Sequence, residues 1–176
     1  MLIAPPAVID AVLATGRAVE ARQAMGGVGV GVVVRHGDAK PAIATVDDIR
    51  AAVLKADAVV YNRASTGTYV EQLFERLEIA PAIAGKVQRY DDGDAVMAHL
   101  IDAPQGTLGF GANTEIRLYA DRGVDYVGPL PAAIQNVTRY EAIRFKASGE
   151  AAAALLRFLD TPQALDAFVR SGVERP

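Results

Sequence analysis

A short apolar strand leads through a polar turn into a helix in the segment DAVVYNRASTGTYVEQLF, residues 57–74. The first five residues are rich in β-branched types, and residues 69–77 carry an apolar stripe at helical spacing. Residues 65–68, STGT, lie where a helix presents its unpaired backbone amides. The pattern therefore predicts a strand–turn–helix unit, and an anion site is one interpretation of its turn.

A plain helix cap is the alternative interpretation of this turn. Serine and threonine are favoured at helix N-termini whatever the protein does. A cap needs only one hydroxyl, whereas this turn offers three and a glycine. Both interpretations stay open from spacing alone.

A second glycine-rich segment, GGVGVGVVV at residues 26–34, does not fit a nucleotide-binding loop. Such a loop follows a strand and opens a helix, with the spacing G-x-G-x-x-G. Here the glycines come before three consecutive valines and have the spacing G-x-G-x-G. The segment predicts a strand.

Strands and helices alternate along the rest of the chain, which predicts an α/β fold with a mostly parallel sheet. Leu2 to Ala4 predicts a short strand, and Thr45 to Asp48 has the spacing of a capping box before a helix. Residues 107–116 predict a strand running into a turn, and two helices close the chain.

Composition excludes several classes of function. The chain has 176 residues, a net charge of -3, and 18 basic residues scattered among 21 acidic ones, so it lacks the basic surface that nucleic acids require. It has no cysteine, and its two histidines, His36 and His99, predict no catalytic triad and no histidine-rich metal site. We expect neither an enzyme nor a cofactor.

The order of motifs resembles the periplasmic molybdate-binding proteins of ABC importers, a family of type II periplasmic binding proteins. The resemblance covers nearly the whole chain and rests on the glycine-rich strand, the STG helix entry and two later segments. These are LGFGANTEI at residues 108–116 and VGPLPAAIQN at residues 127–136.

The resemblance implies two α/β lobes joined by hinge strands that close on a tetrahedral oxyanion. Lobe 2, with the hinge strands, would span residues 28–132 and be complete. Lobe 1 would be partial, with residues 1–27 and 133–176, because the chain starts after most of that lobe's first strand–helix repeats. The glycine-rich segment at residues 26–34 would then be a hinge strand.

The resemblance also implies a set of ligand-binding residues at three turns of lobe 2. Molybdate-specific members carry a ligand tyrosine near residues 111–113, and this turn has none, so Asn113 or Thr114 is the expected substitute. The full set is Ser65, Thr66, Gly67, Thr68, Gly93, Asp94, Asn113 and Thr114.

The expected function is a solute-binding protein for molybdate, tungstate, sulfate or phosphate, with an ABC permease as its partner and weakened affinity if half the cage is absent. The expected location is periplasmic by resemblance. It is cytoplasmic if Met1 is the true start, because residues 1–17 carry no signal peptide. A non-transport sensory or scaffold domain, or a remnant that forms a homodimer through an exposed lobe 1 sheet, is the alternative.

Overall fold

The computed structural model describes residues 1–175, and they form an α/β structure with two compact units. Unit 1 comprises Met1–Val28 and the described residues from Val137 onward, and unit 2 is Gly29–Asn136. The α/β fold class predicted from the sequence is confirmed. The lobe boundaries predicted from the resemblance stay a prediction.

Unit 1 is built on a small antiparallel sheet flanked by helices. Leu2 of the first strand pairs with Ile143 of the last. Its buried side chains include Ile9, Met25 and Leu156. The elements are β1 (Leu2–Ala4), α1 (Pro6–Leu13), the first part of β2 (Val19–Arg35), β7 (Val137–Phe145), α7 (Glu150–Leu159) and α8 (Pro162–Arg170).

Unit 2 continues β2 and adds four further strands and five α-helices. Two short 3-10 turns, Ala84–Lys86 and Ala132–Ile134, complete it. The elements are α2 (Val46–Lys55), β3 (Ala58–Asn62), α3 (Ser65–Arg76), α4 (Ala80–Ile83), β4 (Val87–Tyr90), α5 (Gly93–Asp102), β5 (Thr107–Ala112), α6 (Asn113–Tyr119) and β6 (Val124–Pro129).

Only part of the sheet is parallel. In unit 2 the strand order is β4-β3-β5-β2, with β6 also paired to β2. β3 runs parallel to β4 and to β5, whereas β2 runs antiparallel to β5 and to β6. The expectation of a mostly parallel sheet was therefore wrong: helical crossovers join β3, β4 and β5, but β2 enters from unit 1 and runs the opposite way.

The two faces of the unit 2 sheet are covered by different helices. Val70, Leu73 and Phe74 of α3 pack on one face, where Phe74 meets Tyr61 and Phe110 edge-on with ring centroids 5.9 and 5.4 Å apart. Met97 and Leu100 of α5 pack with Ile116 of α6 in a second buried cluster. Full burial of each such side chain stabilises the fold by about 1.5–3 kcal/mol.

The glycine-rich segment lies inside β2, and the boundary between the units falls within it, after Val28. Gly26 has φ +128°, a conformation that favours glycine. At Gly31 an added Cβ would overlap Asn113 Oδ1 and lie 2.8 Å from Tyr126 Cε2. Glycine is therefore required where other groups approach the strand closely.

The side-chain amide of Gln135 bonds the backbone of Val30 in the way that a neighbouring strand would. Its Oε1 accepts the Val30 N–H at 2.8 Å, and its Nε2 donates to the Val30 carbonyl at 3.0 Å. The Leu130 amide donates to the same carbonyl at 3.0 Å. The Val30 N–H and carbonyl are thus satisfied although β6 pairs with β2 only from Gly31 onward.

Several elements were predicted correctly from the sequence, and others were not predicted. The β1 strand and the capping box of α2 are confirmed, with Thr45 Oγ1 accepting the Asp48 N–H at 3.1 Å and Asp48 Oδ2 accepting the Thr45 N–H at 2.9 Å. The turn expected after β5 is the helix α6. β4 and the beginning of β2 were not predicted, because short or alternating strands carry a weak pattern.

Among the described residues, none of the helices has both the length and the apolar character needed to cross a bilayer.

Replacing Gly31 by alanine should destabilise the protein by about 1–3 kcal/mol, because the new methyl group overpacks a buried site. Urea denaturation measures the loss. Gly85 is the control position, since no atom lies within 4 Å of a Cβ added there. If Gly31→Ala cost no more stability than Gly85→Ala, the close packing on β2 would be contradicted.

Candidate functional site

Three helices begin at the carboxyl ends of the parallel strands of unit 2. α3 follows β3, α5 follows β4 and α6 follows β5. The β3 and β4 turns are joined, because the Arg63 amide donates to the Tyr90 carbonyl at 2.8 Å and the Arg63 guanidinium lies 3.1 Å from Asp91. This edge of a parallel sheet is where ligands bind in open α/β folds.

The entry of α3, meaning the N-terminal first turn of the helix, has free donors and no acidic side chain. In the described part of the chain, the amides of Ser65 and Thr66 and the hydroxyls of Ser65, Thr66 and Thr68 make no hydrogen bond. The N-cap, Ala64, supplies no side-chain acceptor. The positive end of the helix is thus left open to a ligand.

Gly67 is buried and holds the α3 entry against the end of β3. Its amide donates to the buried Asn62 Oδ1 at 2.9 Å, and an added Cβ would overlap the Asn62 carbonyl oxygen. Among the predicted residues, Gly67 thus has its amide already satisfied, while Ser65 and Thr68 are exposed and Thr66 is half-buried.

The entry of α5 has a different character, because its own carboxylates surround it. Asp92 is the N-cap and accepts the Ala95 N–H at 2.8 Å, and Asp94 accepts the Tyr119 hydroxyl at 3.2 Å. Gly93 is buried, and a Cβ added there would overlap the carboxylate of Glu115 from α6. Three acidic side chains therefore lie at or beside the positive end of this helix.

Glu115 was not singled out in the sequence, and it has the most unusual environment of the three acids. Burial raises the pKa of its carboxyl, the charges of Asp94 and Asp92 raise it further, and a hydrogen bond with the Ala112 backbone opposes them. Its Oε2 is buried and has no hydrogen-bond partner in the described residues. Ionised Glu115 is thus disfavoured at this position.

The entry of α6 brings Asn113 and Thr114 to the same edge. Asn113 is buried, and its Oδ1 accepts the Tyr126 hydroxyl at 3.1 Å. Thr114 is half-buried. Although the turn has no tyrosine of its own, a tyrosine from β6 reaches it, which the sequence could not indicate because the two residues are joined only by the fold.

The histidines lie in unremarkable surroundings. His99 stacks on Tyr90 with ring centroids 4.9 Å apart, and His36 Nδ1 lies 3.3 Å from Asp125 Oδ1. Within residues 1–175, no group of three or more acidic or histidine side chains is arranged to hold a metal ion.

Sequence comparison identifies the family of the chain and an enzyme that resembles it. Residues 1–174 match the model of a family described as bacterial extracellular solute-binding protein. The chain is 30% identical over 170 residues to an aconitate isomerase from Pseudomonas sp, which covers 94% of this chain and 63% of that protein's length.

Two solved structures share the fold at low sequence identity. The substrate-binding domain of a proposed molybdenum ABC transporter from Clostridium difficile matches with a TM-score of 0.74 and 14% identity, covering 99% of this chain and 76% of the other. The periplasmic molybdate-binding protein of Azotobacter vinelandii matches with a TM-score of 0.63 and 16% identity, covering 99% and 77%.

Glu115 should make stability depend on pH. An acid whose folded-state pKa is raised costs stability as pH rises from its ordinary value through the raised one, because the unfolded chain ionises first. Glu115→Gln should therefore match the wild type near pH 4 and melt at a higher temperature than the wild type near pH 7. Thermal denaturation followed by circular dichroism at both pH values measures the difference.

Glu75→Gln, at an exposed position of α3, is the matched control. If the melting temperatures of Glu115→Gln and the wild type differed by the same amount at both pH values, the raised pKa of Glu115 would be contradicted.

Proposed function

Because the chain belongs to the bacterial extracellular solute-binding proteins, we propose that unit 2 binds a small anion at the carboxyl edge of β3, β4 and β5. The observation that carries this proposal is the open entry of α3. Its unpartnered amides and hydroxyls at residues 65 and 66 are the donors that an oxyanion needs.

The donors act without a charged side chain. Backbone amides at a helix N-terminus have fixed directions and a partial positive charge, so they bind an anion without the reorganisation that a flexible lysine requires. Arg63 lies next to this turn, but its guanidinium is engaged by Asp91 in an exposed ion pair. The backbone of the turn is therefore the principal anion donor in this proposal.

The ligand class follows from the resemblance and from the relatives' names. Proteins of this fold from Azotobacter vinelandii and Clostridium difficile are named for molybdate and molybdenum. For this chain we propose a tetrahedral oxyanion, with molybdate, tungstate, sulfate and phosphate as the candidates. An ABC permease is the proposed partner, and the periplasm is the proposed location.

The residues proposed to line the site are those predicted from the sequence. Ser65 and Thr66 supply open donors. Thr68 adds an exposed hydroxyl two residues after Thr66. Gly67 positions the turn through Asn62. Gly93 and Asp94, and Asn113 and Thr114, lie at the two neighbouring entries.

Isothermal titration with the four anions tests the proposal. We expect at least one anion to bind, and the double variant Ser65→Ala, Thr66→Ala to weaken that binding by about tenfold or more, since each lost hydrogen bond costs about 1 kcal/mol. Thr15→Ala is the control, because the Thr15 hydroxyl belongs to unit 1 and donates to Val12. If none of the four anions gives a heat of binding or changes the melting temperature, anion binding by this chain is refuted.

A second candidate function is action on a carboxylate anion, because the aconitate isomerase relative is 30% identical. Helix entries that hold an oxyanion are equally suited to a carboxylate. This observation keeps an enzymatic role open, contrary to the expectation from the sequence that the chain is not an enzyme.

Proton NMR of the chain incubated with cis-aconitate tests the second candidate. If the role is enzymatic, the signals of trans-aconitate should grow with time at a rate proportional to protein concentration. The double variant at residues 65 and 66 should slow this conversion by weakening substrate binding. Conversion no faster than in buffer alone would refute the isomerase candidate while leaving anion binding to the titration.

The alternative stays a prediction: a non-transport sensory or scaffold domain, or a remnant that forms a homodimer through an exposed lobe 1 sheet. It is supported by the distribution of exposed large hydrophobic side chains, most of which belong to unit 1. Those of unit 1 are Ile3, Val8, Leu155, Phe158 and Val169, and those of unit 2 are Leu54 and Leu118.

A further inference from the structure

The side chain of Asn113 is buried, and the protein bonds only one of its two polar ends. Asn113 is 6% exposed, and its Oδ1 accepts the Tyr126 hydroxyl at 3.1 Å. Its Nδ2 makes no hydrogen bond to any residue from 1 to 175. The unpartnered side-chain atoms in that range that are closed to solvent are Arg89 Nε and Glu115 Oε2, so Asn113 Nδ2 is open to solvent. A buried amide therefore presents a free donor outward.

The groups around its oxygen fix the orientation of this amide. Oδ1 lies so close to β2 that a Cβ added at Gly31 would overlap it, so protein fills the space at this end. The Arg117 guanidinium lies 5.2 Å from the centroid of the Tyr126 ring. Because arginine only donates hydrogen bonds, it cannot accept the hydroxyl hydrogen of Tyr126, and Asn113 Oδ1 is the acceptor present. The Tyr126 hydroxyl thus holds Asn113 with its NH2 group directed away from the Tyr126 ring.

Asn113 and the α3 entry lie at neighbouring strand ends, because β3 and β5 are adjacent parallel strands. Val60 of β3 pairs with Gly109 of β5, and neighbouring strands lie about 4.8 Å apart. Ser65 follows Val60 by five residues, and Asn113 follows Gly109 by four. The open amides of α3 and the free NH2 group therefore reach the same edge of the sheet from adjacent strands.

The segment between β6 and β7 gives a second link between α3 and Asn113. The Tyr69 hydroxyl of α3 donates to the Ile134 carbonyl at 2.7 Å. A Cβ added at Gly29 would lie 3.1 Å from Asn113 Nδ2 and 3.2 Å from the side-chain amide of Gln135. The first half of α3 and the NH2 group of Asn113 thus flank two consecutive residues of the same segment.

We infer that Tyr126 is a positioning residue of the proposed anion site: it holds Asn113 so that Nδ2 donates to a ligand oxygen beside the α3 entry. The inference rests on the proposed function and adds a side-chain donor to the backbone donors of that site. Tyr126 does not touch the ligand, because its hydroxyl lies at the opposite end of the Asn113 amide. Donors on two neighbouring strand ends fit a ligand with at least two acceptor oxygens on one atom, as in a tetrahedral oxyanion or a carboxylate.

A double-mutant cycle of Tyr126→Phe and Asn113→Ala tests the inference by titration calorimetry. The probe is whichever of molybdate, tungstate, sulfate and phosphate binds the wild type most tightly. Tyr126→Phe should weaken binding about fivefold and Asn113→Ala about tenfold. In the Asn113→Ala background, Tyr126→Phe should have no further effect, because Tyr126 acts through Asn113. Tyr140→Phe, which removes a hydroxyl from unit 1, is the matched control and should leave the affinity unchanged. Thermal melts establish that each variant is folded.

The NMR signals of the Asn113 NH2 group give a readout that a purely structural role of Tyr126 would not change. They are identified in a proton–nitrogen correlation spectrum by their absence from the spectrum of Asn113→Ala. In the wild type the bound anion should shift them, because Nδ2 donates to it. In Tyr126→Phe the shift at saturating anion should be smaller, because the amide is no longer held in one orientation.

The outcomes separate this inference from the proposed function. If Tyr126→Phe leaves the affinity unchanged, or weakens it equally in the Asn113→Ala background, the positioning role is refuted and the anion site stands. The same holds if the anion binds the wild type without shifting the Asn113 signals. If none of the four anions binds the wild type, the anion site itself is refuted, and the positioning role with it.

Discussion

The hydrogen bond from the Gly67 amide to Asn62 Oδ1 is the interaction on which the candidate site depends. It is buried, and it joins the last residue of β3 to the first turn of α3. Because Gly67 has no side chain, the helix can approach the strand end so closely that a Cβ would overlap the Asn62 carbonyl. One donor of the helix end is satisfied by the protein, and the two before it stay open. The bond therefore sets both the direction of α3 and the number of amides left for a ligand.

The sheet of unit 2 brings the N-terminus of α3 to the same edge as the N-termini of other helices. Parallel strands place their carboxyl ends at one edge, and the helices that follow β3 and β4 pack on opposite faces. Their N-termini therefore lie at that edge. The α3 side is rich in donors, and the α5 side is rich in acceptors. This asymmetry comes from side chains alone, since both helix dipoles favour an anion.

The α3 entry could be predicted from the sequence, and the surroundings of the α5 entry could not. Residues 65–68 follow a β-branched strand and precede an apolar helical stripe, so neighbouring residues contain all the information needed. Glu115 lies more than twenty residues from Gly93, and Tyr126 is thirteen residues from Asn113, so only the packing of α6 and β6 brings these groups together. The antiparallel course of β2 was missed for a similar reason, because strand direction depends on a pairing that periodicity does not encode.

The contact between Gly31 and Asn113 has a consequence for how this sequence can change. The strand and the helix entry share one small volume, which is filled by the amide of Asn113 and the ring of Tyr126. A larger residue at position 31 fits only if position 113 or 126 becomes smaller in the same lineage. Substitutions at these three positions should therefore be inherited together among relatives. A change in the helix entry that alters ligand preference would then be accompanied by a change in a strand residue that does not touch the ligand.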